Sequence, residues 1–451
     1  MLRSKSASVA WSGSELQRLQ AILWPVTTKA SAPACAPTLH WLAVLVVAAA
    51  DGHAGTWAGK VTPGANGTQT ISSPAKGFAE PATLKLPELW RLGGDSEDEE
   101  EFFGVISDID IDANGQVYLL DSQLNQAKIY TADGEFVRSI GREGEGPGEF
   151  RTPTSMFFTK EKVAVIQMMP GKIVLLTKDG QPGGDYPIPQ APDGGFQMIQ
   201  GGESRGGNVV LYMARQKFDQ AAGKWSRQSF LASIDPTGKQ VAEYSSKENT
   251  INMASAEMND ATWDTFERRW EVGPNGKVYA CNSYDNYDVT VYDKSGKVEK
   301  TITREYKHVP RTADEKAFMN RMFSHWAKMI PNCKVVINPM DKDIENIYVR
   351  DDGSMWVLSS AGARNLPKGT LGTFDVFNPE GQFVKQVTLQ GQGDPLEDLY
   401  VFEKDRLYVV TSFLQAAMSA QGVQGLYDEA EEPEPMAVIC YKLEGDVIAA
   451  R

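Results

Sequence analysis

Histidine supplies general bases and metal ligands near neutral pH, so its positions bound the chemistry open to this chain. There are four histidines. His40 and His53 lie in or beside an apolar N-terminal leader, which leaves His308 and His325 for the body. Two histidines cannot build a three-histidine zinc site, and Ser–His–Asp catalysis would have to recruit one of them. The four cysteines, Cys35, Cys281, Cys333 and Cys440, contain no C-x-x-C pair, which removes zinc-finger and thioredoxin chemistry. Outside the leader their number is odd, so at most one bridge could form, and buried free thiols are the expectation. The loop Gly144-Glu-Gly146-Pro-Gly148 is glycine-rich like a phosphate cradle, but no Lys-Ser/Thr follows it. It runs through Pro153 into β-forming Ser155–Thr159, so it offers an anion no helix N-terminus. It reads as a tight crossover in which Arg142, Glu149 and Arg151 pair or line one face of a ring. No catalytic residue and no metal ligand set is assigned.

The elements that would position these residues come from a repeat. Residues 105–141 run strand, Asn114-Gly115 turn, strand, loop, strand, Asp133-Gly134 turn, strand. Asn-Gly and Asp-Gly between β-formers are strong hairpin signals. The unit returns at 268–302, with Asn275-Gly276 and Gly296, and at 344–389, with Asp352-Gly353 and Glu380-Gly381. Weaker copies occupy 156–188, 198–244 and 399–444. Four antiparallel strands per unit, six units in all, give an all-β fold of six blades, a β-propeller. A single blade cannot cover both faces of its sheet, so blades stack until the ring closes. The segment Thr83–Leu92 is placed to complete the last blade. A β-sandwich is the competing architecture, but sandwiches do not repeat one hairpin register.

Registering the blades on their first turn glycine sorts the inner strands. Ile109, Trp270 and Ile347, with Ile111, Val272 and Val349, should pack between blades. The alternate positions bring Asp108, Asp110, Arg269, Glu271 and Asn346 toward the ring axis. There they would line a binding funnel, hold a cation such as Ca²⁺ through carboxylates, or pair across a water-filled channel. No cofactor is otherwise implied. One insertion, 304–343, breaks the repeat. Thr312-Ala-Asp-Glu315 is a capping box, opening a helix to about Ile330 with Phe318, Met322 and Trp326 on one stripe. That stripe either packs on a propeller face or docks a partner.

Residues 39–50 form an apolar run shorter than the roughly 20 residues of a spanning helix. Small residues follow it, and Arg3, Lys5, Arg18 and Lys29 precede it, as in a signal peptide. The chain is therefore read as a leader over 1–54, a Gly/Ser/Thr/Pro-rich flexible linker over 55–82, and a propeller over 83–446. The upstream stretch is long, consistent with a true start near Val26; an uncleaved anchor is the other reading. Net charge is −14 with no basic cluster, so nucleic acid has no electrostatic footprint here. The acidic tracts at 95–101 and 428–434 read as solvated loops.

The run Ile140-Gly-Arg142-Glu-Gly-Glu-Gly-Pro-Gly-Glu-Phe150, with Asp108–Asp121 before it and Asp352–Val357 later, resembles the exported six-bladed propellers of the NHL-repeat type in bacteria. The resemblance covers about residues 83–446 and implies a fold and a periplasmic or secreted location, not a reaction. Calcium-dependent lactonases on related propellers use a channel site, but their ligand set finds no residue-by-residue match here. The expectation is a binding or scaffolding propeller, monomeric by itself, that recognises a protein, peptide or glycan on one ring face. It could serve as an extracytoplasmic subunit of a membrane complex, with no span of its own once the leader is removed. The alternative is a divalent-cation-dependent hydrolase or lyase working in the channel.

Overall fold

A computed structural model describes residues 55–191, 196–264, 266, 268–423, 425–427 and 434–443. The leader and most of the acidic tract at 428–434 fall outside these. The described chain is a ring of six blades, each with four antiparallel strands. Blade 1 is Ile106–Ile111, Val117–Asp121, Gln126–Tyr130 and Phe136–Ile140. Blade 2 is Pro153–Phe158, Lys162–Gln167, Lys172–Thr177 and Pro182–Tyr186. Blade 3 has longer strands, Phe196–Arg205, Asn208–Asp219, Lys224–Ile234 and Gln240–Asn252. Blade 4 is Trp270–Val272, Val278–Ala280, Asp288–Tyr292 and Val298–Arg304. Blade 5 is Ile344–Val349, Met355–Ser359, Thr370–Phe377 and Phe383–Gln390.

Blade 6 takes three strands from the C-terminal part, Leu399–Glu403, Arg406–Val410 and Ala437–Lys442, and its fourth, Glu88–Gly93, from the N-terminal part. Ring closure thus uses the segment singled out for it in the sequence. Trp90 secures the seam by donating its indole N–H to Ala132 O of blade 1 at 3.0 Å. Its ring lies against Gly134, where the turn needs φ +86° and an added Cβ would meet Trp90 at 2.9 Å.

Each blade boundary is filled by apolar side chains from the two facing sheets. Ile109, Ile111 and Val401 pack between blades 6 and 1, and Tyr118, Ile129 and Val165 between blades 1 and 2. Ile166 and Leu211 fill the next boundary, Tyr212, Trp270 and Val272 the one after. Val289, Ile347 and Val357 follow between blades 4 and 5, and Trp356, Phe374 and Tyr400 between blades 5 and 6. The core is therefore a ring of interfaces, each such side chain contributing about 1.5–3 kcal/mol relative to exposure.

Residues 55–82, expected as a flexible linker, instead carry the strands Lys60–Pro63 and Gln69–Ser73 and the first residue of a third, Ala82–Lys85, whose remainder opens the segment expected to close the ring. The second pairs in parallel with the outer strand of blade 4, Ile71 opposite Ile302, and the third with the outer strand of blade 5. An outer strand presents unpaired N–H and C=O groups. A small-residue segment rich in Thr and Ser can satisfy them while burying Ile71.

Because strands alternate in direction, connections from second to third strand and from blade to blade emerge on one face of the ring. That face carries all the described α-helices: α1 (Asp260–Trp263), α2 (Ala313–Ala327), α3 (Ser360–Ala363) and α4 (Phe413–Ala420). Helix α2 starts at the expected capping box, Thr312 Oγ1 accepting from Glu315 N and Glu315 Oε2 from Thr312 N. Phe323, Trp326 and Ile330 join Trp225, Trp263 and Met418 in a separate apolar core above the ring. Trp225 and Trp263 stack with centroids 5.5 Å apart. These elements form a helical cap over blades 3 to 6. Among the described residues no helix is long and apolar enough to cross a membrane.

Candidate functional site: a cavity between cap and ring

The inner-strand carboxylates are placed first by the geometry of the ring. Asp108 Oδ2 accepts from Met156 N of blade 2 at 2.8 Å. Ser155 Oγ accepts from Gly202 N of blade 3 at 3.0 Å. Glu203 Oε2 accepts from Val272 N at 2.8 Å, and Glu271 Oε2 from Val349 N at 2.6 Å. Four successive boundaries are thus clasped by a side chain of one inner strand holding a backbone amide of the next. Asp110 is equally buried, and its Oδ1 accepts from Ile111 N at 2.7 Å. Arg269 is fully buried, donating to Ser283 O at 2.8 Å and pairing with Asp264. Asp108 and Glu271 therefore spend carboxylate oxygens on the fold. Arg269 ties the loop after α1 to blade 4.

Asn346 goes elsewhere. It lines a cavity of about 540 Å³ between α2, α4 and the cap-side ends of blades 4 to 6. Its side-chain carbonyl, Oδ1, is buried and has no hydrogen-bond partner. The roof is apolar, formed by Phe318, Met322 and Trp326 of α2 with Phe413, Leu414 and Met418. The expected stripe of α2 thus faces the protein rather than solvent, with Trp326 buried and Phe318 and Met322 partly so. Arg268 lies over the Phe413 ring, 4.9 Å from its centroid.

A buried ionic network fixes this cavity. Arg311 pairs with Asp260 and, at 2.8 Å, with Asp341. Its guanidinium also donates to the Tyr284 hydroxyl at 2.8 Å. Arg364 pairs with Asp341, with Glu315 at 2.6 Å and with Glu345 at 3.0 Å. Glu315 therefore closes the capping box with one oxygen and anchors α2 to the ring with the other. Burial raises its pKa, but the Thr312 amide and the Arg364 guanidinium outweigh that and hold it below the usual range. None of Arg311, Asp341, Arg364 and Glu345 stood out in the sequence. Each finds its partners across long chain separations that no local pattern marks.

A second cavity of about 380 Å³ adjoins the first at Glu397 and is lined by Asp394, Asp398, Glu434 and Ser412. Burial pushes Asp398 up to about 7, against the amides of Asp394 and Ser412 that favour its charged form. Burial also raises Glu397, which accepts from the Tyr427 hydroxyl at 2.7 Å.

The remaining candidates lie away from these cavities. Arg142 pairs with Glu149 at 2.6 Å, and Glu149 also accepts from Gly146 N at 2.8 Å. Arg151 pairs with Glu145 at 3.2 Å on the surface. The glycine-rich run is thus a self-satisfied crossover between blades 1 and 2. His308 Nδ1 contacts Asp343 Oδ1 at 2.8 Å, which raises the imidazole pKa. Cys281, Cys333 and Cys440 are free thiols. The sequence also holds Gly202-Glu-Ser204-Arg-Gly206, the spacing of a nucleophile elbow. It ends one strand of blade 3 and turns into the next, without the strand-to-helix bend that would expose the serine.

Fold and site together define a six-bladed β-propeller with a helical cap over one face. A family model, DUF5128, described as a six-bladed β-propeller, matches residues 97–183. No curated protein matches the chain. Among solved structures it is similar to a DUF4221-family member from Bacteroides vulgatus, at 10% identity and TM-score 0.46, covering 80% of this chain and 98% of that one. A Bacteroides fragilis protein described as exported is similar at 12% identity and TM-score 0.43, with 81% and 100% covered. A luciferin-regenerating enzyme is similar at 12% identity and TM-score 0.40, with 76% and 94% covered.

Proposed function

We propose that this chain is an exported binding propeller whose ligand, a protein segment, peptide or glycan, enters the cavity between cap and ring. The observation that carries this reading is the cavity: about 540 Å³, apolar above, with charged side chains such as Arg268, Glu345 and Glu397 on the ring side. That volume and character suit a ligand site, and a methionine-rich wall adapts to its occupant. Export rests on the apolar run at 39–50, and kinship with NHL-repeat propellers on the glycine-rich run at 141–150. A monomer acting as an extracytoplasmic subunit fits the same reading.

The test is a ligand-observed NMR screen of peptides and oligosaccharides against the chain and against Ala417→Phe, which fills the cavity from α4. Binding to the parent that is lost in the variant, with cooperative unfolding kept, is expected. Undiminished binding to the variant would place the site elsewhere. A channel reaction dependent on a divalent cation gains no support from Asp108 and Glu271, whose oxygens hold neighbouring amides. Stoichiometric Ca²⁺ in metal analysis of the purified chain would reopen it.

A further inference from the structure

The outer edges of the blades are treated unequally. Blades 4 and 5 have theirs covered in parallel by the chain's own Gln69–Ser73 and Ala82–Lys85. The outer strand of blade 3, Gln240–Asn252, is 13 residues long and ends its sheet. In the other blades the corresponding strand holds 5 to 8 residues. Between Ser245 and Ile251 no backbone group, among the described residues, bonds to anything but the strand Lys224–Ile234. That leaves an open edge on the order of 20 Å long. Such edges are commonly guarded by bulges, proline or outward lysine. Here the bulges lie at Leu231/Ala232 and Ser233/Ile234, and from Ser245 opposite Leu231 to Asn252 opposite Lys224 the register is unbroken. The strand contains no proline. Its lysine, Lys247, folds inward, over the Phe266 ring at 5.3 Å and to Asp264 O at 3.4 Å. Ser246, Glu248 and Thr250 are exposed, and Glu248 has no ion pair among the described residues.

The two covered edges state what an occupant looks like. Each covering strand is extended and parallel, with one aliphatic side chain turned inward between polar neighbours: Ile71 between Thr70 and Ser72, Leu84 between Thr83 and Lys85. Ile71 is buried beside the turn at Gly381 of blade 5, and Leu84 packs on the core between blades 5 and 6. The open edge of blade 3 has the matching alternation. Ile251 is buried in the cap core with Trp225 and Trp263, while Glu248 and Thr250 face outward. We propose that the edge Ser245–Asn252 is a strand-addition site for a second protein, taking an extended segment of alternating polar and aliphatic residues such as Thr-Ile-Lys, parallel to the edge and with its cation beside Glu248. Main-chain hydrogen bonds supply the affinity and the alternation supplies the register. None of these residues lines the cap–ring cavity, so the site is independent of the ligand reading above.

The experiment is hydrogen exchange of the full chain with the peptide acetyl-Thr-Gln-Thr-Ile-Lys-Ser-amide, which copies Thr68–Ser73 with lysine at the place of Ser72. Added protection is expected on residues 245–252, and an analogue with proline in place of isoleucine should give none. Asn249→Pro and Thr250→Pro each remove one N–H. In a regular antiparallel pair one of two adjacent N–H groups points outward, and proline there is tolerated at an edge. The variant that keeps the parent's unfolding midpoint should weaken the peptide about tenfold, and Glu248→Lys should weaken it about threefold. No added protection of 245–252, equal protection by the proline analogue, or full affinity in the folded proline variant would overturn the proposal. Sedimentation should show the parent chain alone as a monomer. A dimer that the same proline variant dissociates would mean that a second copy fills the edge, and would overturn the assigned partner.

Discussion

Blades 1 and 2 and blades 4 to 6 are built on one plan and end differently. In the first pair the connections are short and satisfy themselves: Glu149 caps its own loop, Arg142 and Arg151 pair within it, and Phe150 is buried beneath it. In the second group the corresponding connections lengthen into α1, α2, α3 and α4; α1, α2 and α4 share a core, and the cap is bound to the ring through Arg311 and Arg364. The family model matches the plain pair of blades, residues 97–183. The ring is the repeated part of this protein, and the cap with its cavity is the individual part. A site should be sought where the repeat is interrupted.

The largest effect expected of that contrast is a separation of stabilities. Arg311→Ala leaves buried Asp260 without its guanidinium and removes one partner of Asp341, a loss of about 3–5 kcal/mol for a broken buried pair. Hydrogen exchange should then quicken in Ala313–Ala327 while amides of blade 1 keep their protection. Equal loss in blade 1 would make cap and ring one cooperative unit and erase the distinction.

The clasps should behave alike in both halves. Asp108→Ala orphans the amide of Met156, and Glu271→Ala that of Val349. Each should cost about 1–3 kcal/mol in denaturant unfolding. A neutral result for either would mean that its carboxylate is held for a ligand rather than for the fold.

A smaller effect tests the cap edge. Asp343 raises the His308 pKa above its ordinary value, so the folded state binds the proton more tightly. That stabilisation is complete below about pH 6.5 and fades as pH rises through the folded value. His308 is half exposed, so solvent screening limits the contribution to about 0.5 kcal/mol. His308→Gln should lower the unfolding midpoint at pH 6 and leave it nearly unchanged at pH 8. A larger drop at pH 8 would contradict the assignment.

The same contrast explains what the sequence made legible. Turns such as Asn114-Gly115 and Asp133-Gly134 announce hairpins because positive φ restricts residue choice locally, and Thr312 and Glu315 announce a helix start for a similar reason. The closing strand could be read because a ring must end somewhere near its beginning. Residues 55–82 could not, since edge pairing by Thr70 and Ile71 leaves a composition indistinguishable from a linker. Nor could the use of Asp108 and Glu271: alternation placed them on the inner strands, but the amides they hold belong to the next blade. Asn346 was registered with them by spacing, yet it faces the cavity. Helix α4 was missed because its eight residues, Phe413–Ala420, sit inside what reads as a blade. The cavity draws on Arg268, Phe318, Asn346, Glu397 and Phe413, which no sequence period connects.

The most direct test of the central claim is differential hydrogen exchange with the tightest-binding ligand from the peptide and oligosaccharide screen. Added protection should fall on Ala313–Ala327, residues 391–398 and Phe413–Ala420, with blades 1 and 2 unchanged. Protection concentrated instead in the 142–151 crossover, or on the inner strands alone, would contradict the account.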